Sequence, residues 1–490
     1  MGYLVVDLFC GAGGTTTGFT QAHNYLGEKF VKVVACVNHD YKAIHSHWAN
    51  HKTTKHFLED IKKLDMTELL KVVNKYRKKF PGWKLILWAS LECTNFSKAK
   101  GGQPKDADSR TLAYHLYRYI DALNPDYVMI ENVVEFMAWG PMTTIKVGGD
   151  EFSSEIKWMY DKKKKKEMIA YRPITMRNGE FWKAWCDEIN KRGYHDEWQE
   201  MNSADFGAHT SRNRLFGCFA RIGQEIHWPQ TTHSKGNWRP VYEVLDLDKV
   251  GKSIVYRDKL LSENTYARIY EGLIRYVKTG DGLFIQKYYG TGANVSSIWE
   301  PVGTLTTKDR MYVMRSFWLD KQYTGKENHS SITKPAGTIL RNDKHQVMEA
   351  RGFIFNPSHG GHPTALTKAC PTLIARQDKA PLYLIDARRG KLKRPKKTSP
   401  MLDKILDFME EHQIVDITMR SLDVEEMLRI QGFPSDYIMT GTQTDNKRGI
   451  GNSVAPIVVT EWIKTIYEKE YVKHRRETKR VHAERIHEYS

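Results

Sequence analysis

A cysteine, a carboxylate and two arginines each stand where an apolar run stops. Leu85-Ile86-Leu87-Trp88-Ala89-Ser90 has five apolar residues in six and reads as a buried strand. Leu91-Glu92-Cys93-Thr94-Asn95-Phe96-Ser97 then reads as the loop leaving its carboxyl end, where α/β sheets keep their chemistry. A thiolate there can serve as a nucleophile if its setting is electropositive and partly open, and the alternative is a small buried thiol. Asp126 to Val133 is a second buried strand, and it ends in Glu131, a carboxyl group able to hold or pass a proton or merely to cap a turn. Further on, Thr210-Ser211-Arg212-Asn213-Arg214-Leu215-Phe216 alternates two arginines into an apolar strand. On one strand face their guanidinium groups could grip a phosphate or a base edge.

These side chains need a frame, and the amino-terminal segment supplies its signature. Tyr3 to Phe9 is an apolar strand, Cys10-Gly11-Ala12-Gly13-Gly14 is a glycine-rich turn, and Thr15 to Ala22 is the helix after it. Such a turn lets a ligand approach the backbone at a helix amino terminus, although a tight connection alone would look the same. Val31 to Val37 reads as a second strand, ending in Asn38-His39-Asp40, where a nucleotide-binding sheet places a group for ribose hydroxyls. Asp60 falls at the end of a third.

The chain has 490 residues, enough for two or three domains or one with a large insertion. Its 75 Lys and Arg against 58 Asp and Glu give a formal charge of +17, a field that attracts polyanions; a basic surface kept for solubility is the bland alternative. Cys10, Cys36, Cys93, Cys186, Cys218 and Cys370 are scattered without a Cys-x-x-Cys pair, which argues against a disulfide framework or a zinc cluster, so no metal is expected. With no signal-like segment and no apolar run of membrane length, a cytoplasmic protein with no membrane partner is expected.

In order along the chain, Asp7 to Gly14, the Cys93 loop, Glu131-Asn132-Val133, Arg212-Asn213-Arg214, Arg429-Ile430-Gln431-Gly432-Phe433-Pro434 and Gly451-Asn452-Ser453-Val454-Ala455-Pro456 resemble the motif blocks of DNA cytosine-5 methyltransferases. The resemblance covers roughly 1–220 and 416–467. It implies an α/β fold, a doubly wound Rossmann-like methyltransferase sheet with an inserted, mainly β target-recognition domain. The expected parts are a catalytic S-adenosylmethionine-binding domain over 1–220, target recognition over 221–415, a returning catalytic part over 416–470 and a charged, frayed tail over 471–490.

Residues 283–384 carry an internal period of 34, seen in Thr304, Thr338 and Thr372, in Ile298, Ile332 and Leu366, in Leu305, Ile339 and Leu373, and in Ile285, Leu319 and Phe353. Glycines and β-branched residues favour strands and turns over helical repeats. Stacking for stability and reading DNA are both open roles. Lys287, Lys308, Arg310, Lys326, Arg341, Lys344, Arg376 and Lys379 lie among the repeats, and a basic linker runs from Arg388 to Lys397. Lys162 to Lys166 is a further run, solvated by default.

By resemblance, the Cys93 thiolate adds to carbon 6 of a cytosine flipped out of duplex DNA, and carbon 5 then takes the methyl of S-adenosyl-L-methionine. Glu131 bonds N3 and the amino group, Arg214 contacts the ring oxygen and Arg212 orients the cysteine loop. Phe9, Gly11, Gly13 and Gly14 cradle the cofactor, Asn38 serves its ribose, Asp60 its adenine, and Asn452 and Ser453 its methionine end. The chain departs from the family at Glu92-Cys93-Thr94, in place of Pro-Cys-Gln, at Asn38, in place of an acid, and at Thr210, in place of glutamine. The resemblance implies a monomer on double-stranded DNA in a prokaryotic or phage-infected cell, nucleoid-associated, with a cognate restriction endonuclease as a further partner in restriction-modification. An RNA cytosine-5 methyltransferase and a catalytically inactive DNA-binding regulator are the competing readings.

Overall fold

Apolar runs that alternate with amphipathic helices bury both faces of a sheet, and the computed structural model builds that arrangement at the amino terminus. It describes residues 1–490 apart from 24–28, 92–107, 146–155, 157, 162–165, 170, 247–248, 250, 275–283, 288–294, 298–310, 322–328, 331–344, 351–352, 356–363, 366–369, 372–382, 390–391, 412–413 and 489–490. By backbone contacts the chain divides into two compact units. The first holds Met1–Met201, Asn213–Gln230 and Val458–Ser490, and the second holds Asn202–Arg212 and Thr231–Ile457.

The first unit is an α/β fold on a mixed seven-stranded sheet. Its strands are β1 (Tyr3–Leu8), β2 (Val31–Asn38), β3 (Lys55–Leu58), β4 (Lys84–Ser90), β5 (Tyr127–Asn132), β6 (Tyr194–Asn202) and β7 (Asn213–Arg221), in the order β6-β7-β5-β4-β1-β2-β3. β1 to β5 are mutually parallel, and β7 runs antiparallel to β5. Helices α1 (Gly14–Ala22), α2 (Tyr41–Asn50), α3 (Met66–Lys79), α4 (Leu116–Leu123) and α5 (Glu180–Asn190) complete the wrapping. Asp40 caps α2 by accepting from the amides of Lys42 and Ala43, and Asp65 caps α3 through Thr67.

Strand alternation sorts β4 between two faces. Leu85, Leu87 and Ala89 enter a core with Leu69 and Val73 of α3, Leu116 and Ile120 of α4, and Trp185 and Ile189 of α5. Trp88 faces the other way, edge-on to Phe19 of α1 at 5.8 Å and to Trp462 at 5.8 Å. Trp462 belongs to α10 (Pro456–Glu488), the last helix. From Val458 onward α10 lies in the first unit, where Thr460 Oγ1 donates to Gly18 O at 2.9 Å and Phe30 stacks on Tyr467 at 4.1 Å.

The second unit has a ten-stranded sheet among the described residues. Its long strand Met311–Lys321 pairs antiparallel with Phe284–Lys287 and His345–Ala350 and parallel with Tyr383–Arg389, which pairs antiparallel with Ile414–Ser421. Helices α6 (Glu263–Gly272), α7 (Pro400–Glu411), α8 (Val424–Gln431) and α9 (Gln443–Asn452) lie alongside, sharing a core that includes Tyr266, Leu402, Leu406, Ile417, Met427 and Ile450.

Two boundaries differ from those expected. The return to the first unit begins at Val458 and not at 416, because the apolar side chains of 417–450 fill the second core. The expected frayed tail continues α10 as far as Glu488, in a stretch rich in the helix formers Glu, Lys and Arg. Most of the 34-residue register, and Lys308, Arg310, Lys326, Arg341, Lys344, Arg376, Lys379 and Lys162 to Lys165, lie outside the described residues.

Trp462 is fully buried, donates its indole N–H to His227 O at 2.9 Å and stacks on Trp228 at 4.8 Å. Trp462→Ala should therefore cost about 3–5 kcal/mol of stability, as buried Trp-to-Ala cavities do. Urea unfolding followed by circular dichroism checks this, and a loss below about 1 kcal/mol would mean that α10 is not anchored to the sheet through this ring.

Candidate active site

Parallel strands all end on one side of their sheet, so β1 to β5 deliver their carboxyl-terminal residues to a single edge. At the end of β1, Asp7 is fully buried and accepts a hydrogen bond from Thr16 Oγ1 at 2.8 Å. Burial pushes its carboxyl up to about 7, against the opposing pull of the Thr16 hydrogen bonds. The turn that follows is left-handed at Phe9 (φ 58°), Gly11 (φ 53°) and Gly13 (φ 104°). Gly13 is the N-cap of α1 and makes no side-chain cap, while the buried Asp7 carboxyl takes the Thr16 amide of the first turn.

Asn38, at the end of β2, accepts from Asp40 N through Oδ1 at 2.8 Å. Asp60, just past β3, accepts from Lys62 N at 2.9 Å. Both are half-buried. Phe9, Gly11, Gly13, Gly14, Asn38 and Asp60 thus all fall at the carboxyl edge of one sheet.

Glu131 closes β5 and is buried, with Arg214 Nε 3.4 Å from its Oε1. β7 runs opposite to β5, so its first residues reach the edge where β5 ends, with Leu215 opposite Asn132 and Phe216 opposite Glu131. Ser90, the last residue of β4, is registered against Glu131 on the other side. The chain thus leaves Ser90 beside Glu131 and enters the segment that contains Glu92 and Cys93, both of which lie outside the described residues.

In the second unit, Arg212 is buried and its Nη1 donates to Gly451 O at 3.1 Å, while its amide donates to Ser203 Oγ at 3.2 Å. The expectation that Arg212 and Arg214 share a strand face is corrected here. Arg212 lies at the break between the two-residue strand Thr210–Ser211 and β7, so alternation does not run through it. Asn452 ends α9 and is exposed; Ser453, buried at its C-cap, donates to Gly449 O at 2.8 Å. Gln431 Nε2 donates to Ser453 O at 2.9 Å, and Gly432, left-handed at φ 93°, ends α8. Neither Gln431 nor Ser203 is assigned a role by the sequence alone. Gln431 lies inside a motif block, so its position was visible, but only the fold shows that it holds the block of Asn452 and Ser453.

A sheet with a glycine turn on its first strand and a buried acid on its fifth is an α/β frame that gathers a candidate site at its carboxyl edge. The chain belongs to the C-5 cytosine-specific DNA methylase family, whose model matches residues 3–153 and 173–468. The stretch between the matched segments holds the hairpin Trp158–Asp161 with Lys166–Ile169. Among curated relatives, the type II methyltransferase M.AgeI of Thalassovita gelatinovora is 24% identical over 232 residues, 47% of this chain and 42% of that protein. A putative type II methyltransferase of Oceanobacillus iheyensis is 24% identical over 240 residues, again 47% and 42%. The match spans less than half the length of either. The solved S. pombe Dnmt2 methyltransferase is similar over 95% of this chain and 98% of its own, at 13% identity and a TM-score of 0.46.

The Asp7 carboxyl makes stability depend on pH. The folded form keeps a proton that the unfolded chain releases near 3.8, so stability falls as pH rises from about 4 to about 7 and is flat above. The size is on the order of 4 kcal/mol, at about 1.4 kcal/mol for each tenfold change in proton affinity between the two forms. Asp7→Asn should remove most of that slope in urea melts between roughly pH 4 and pH 7, and an equal slope in both proteins would place the titration elsewhere.

Proposed function

We propose that the protein transfers a methyl group from S-adenosylmethionine to carbon 5 of a cytosine flipped out of duplex DNA. The observation that carries this is the buried Glu131–Arg214 pair at the end of β5, beside the strand whose exit leads to Cys93. S-adenosylmethionine, when bound, supplies the methyl group. The Cys93 thiolate adds to carbon 6 of the ring, pushing electrons toward carbon 5, and leaves again once carbon 5 has lost its proton. Glu131 faces N3 and the exocyclic amino group, where the addition builds up charge, and Arg214 keeps that carboxyl oriented while contacting the ring oxygen. Arg212, through Gly451, and Gln431, through Ser453, act as positioning residues for the segment of Asn452 and Ser453, which is proposed for the methionine end. The glycine turn and the start of α1 take the carboxylate, Asn38 the ribose and Asp60 the adenine.

The repeats in 283–384 are proposed to read the target, as a recognition domain inserted in the catalytic chain. Three backbone pairings support the period of 34: Ile285 with Ser296, Leu319 with Ser330 and Phe353 with Ala365, each 34 apart on the first strand. The second strand keeps the step from Ser296 to Ser330 and slips by one residue at Ala365. Each repeat would then be one antiparallel hairpin, a unit that stacks on its neighbours and offers its loops to DNA. The charge of +17 supplies the phosphate attraction such a reader needs.

Methyl transfer from labelled S-adenosylmethionine to duplex DNA and to RNA, in parallel, tests the substrate. Cys93→Ser should abolish transfer to duplex DNA while leaving DNA binding measurable, and the wild type should be trapped covalently on DNA carrying 5-fluorocytosine. Turnover of the serine variant near the wild-type rate would end the covalent mechanism, and preferential transfer to RNA would end the duplex reading. Replacing Arg310, Arg341 and Arg376 together should change the methylated sites or flatten the salt dependence of binding by about one charge per lost phosphate contact. Unaltered site choice, affinity and salt slope would leave the repeats as scaffold.

A further inference from the structure

Directly beneath the glycine turn, three buried donors converge from three elements. Cys10 follows β1, Cys36 lies on β2 and His47 on α2, and their Sγ, Sγ and imidazole nitrogen atoms all lie within 4.8 Å of one another. Cys36 Sγ is 3.7 Å from His47 Nδ1. A fourth donor, Nε2 of His56 on β3, lies 2.8 Å from the same Nδ1. The bland reading is a pair of small buried thiols beside neutral imidazoles.

The hydrogen bonds around His47 decide which of its nitrogens is open. Thr16 Oγ1 donates its one proton to Asp7 Oδ2 at 2.8 Å, so at its 3.0 Å contact with His47 Nε2 it must accept. With Asp7 ionised, this puts the ring proton of His47 on Nε2. The other nitrogen, Nδ1, then faces Cys36 and His56. An imidazole whose far N–H is tied through a hydroxyl to a carboxylate has the outer support usual for a metal ligand.

One distance and the charge agree with that. Tetrahedral zinc with bonds of about 2.3 Å to sulfur and 2.0–2.1 Å to nitrogen sets its ligand atoms roughly 3.3–3.8 Å apart. The separation of 3.7 Å between Cys36 and His47 falls inside this range. The His47–His56 separation of 2.8 Å is short of it by about half an ångström, and His56 lies outside the group of three within 4.8 Å, so its ring must swing to join as the fourth ligand. Two thiolates and one dication sum to zero charge, whereas a lone thiolate here would be a buried, uncompensated charge.

We propose that Cys10, Cys36, His47 and His56 bind one divalent, thiophilic cation, Zn2+ first among them, as a closed structural site under the cofactor turn. Binding would displace both thiol protons to solvent, leaving two S–metal and two N–metal bonds. It would tie β2, β3 and α2 to the residue immediately before Gly11, holding the turn in place whatever substrate the protein methylates. All four positions belong to the chain, leaving no open coordination for catalysis.

Purified full-length protein, stripped with chelator and re-equilibrated with Zn2+, should retain one zinc per chain by mass spectrometry of the metal. Loaded with Co2+ instead, it should show a thiolate-to-cobalt charge-transfer band in the near ultraviolet. Cys36→Ser should lose that band. His56→Ala, at a half-buried position that tolerates change, should keep the wild-type circular dichroism and bind Co2+ at least about tenfold more weakly. Absence of retained zinc and of the cobalt band in the wild type would overturn the proposal. So would a Cys10–Cys36 disulfide detected by mass, or a cobalt band that is equal in Cys36→Ser and wild type.

Discussion

Strand direction is the constraint on which the first unit depends. A backbone that runs the same way through β1 to β5 places Asp7, Asn38, Asp60, Ser90 and Glu131 along one edge, although they are spread over 125 residues of sequence. The antiparallel β7 adds the opposite contribution, since its start, and not its end, reaches that edge. Arg214 can therefore meet Glu131 only because the sheet is mixed. In an all-parallel sheet the first residues of β7 would lie at the far edge, and the buried carboxylate would lack its cation, which is a costly arrangement.

This geometry explains which parts of the molecule were legible in the sequence. The central strands are buried on both faces, so they appear as continuous apolar runs, and their exits could be located within a residue or two. Glu131 and the glycine turn followed directly from those exits. Arg212 and Arg214 misled because alternation assumes an unbroken strand, and the chain breaks at Arg212. The boundary at Val458 was not legible, because apolar helical spacing in 424–430 and again in 458–467 shows that each helix has a core and not which one. The Cys–His cluster was invisible for a related reason. Its members sit at 10, 36, 47 and 56, a spacing with no period, and only the pairing of β1 with β2 and of β2 with β3 brings them together.

The second unit shows how motif blocks become a structure. Arg212 reaches a carbonyl at Gly451, and Gln431 reaches one at Ser453, so two side chains from separate blocks hold the backbone on either side of Asn452. Each of these bonds is buried, where leaving a carbonyl without its partner costs about 1–3 kcal/mol. Asn452 itself is exposed. The arrangement is that of a free side chain on a fixed backbone, which suits a residue meant to meet a ligand more than one meant to stabilise the core.

Phe9 shows what such fixing must achieve in the first unit. It is a bulky side chain in the left-handed region, a conformation of order 1–3 kcal/mol above its alternatives that persists only where neighbours over-determine it. On one side β1 is held by two parallel neighbours; on the other, Cys10 N donates to Val37 O at 3.2 Å and Gly13 N to Cys10 O at 3.0 Å. Those two bonds fix the backbone of Cys10, and its buried side chain beside Cys36 and His47 fixes the direction in which it leaves Phe9. The strain is thus balanced by contacts made on the protein's own side of the turn, away from the ligand. A turn held in this way keeps its shape before any cofactor arrives, so binding need not supply the ordering cost that a loose glycine loop would impose.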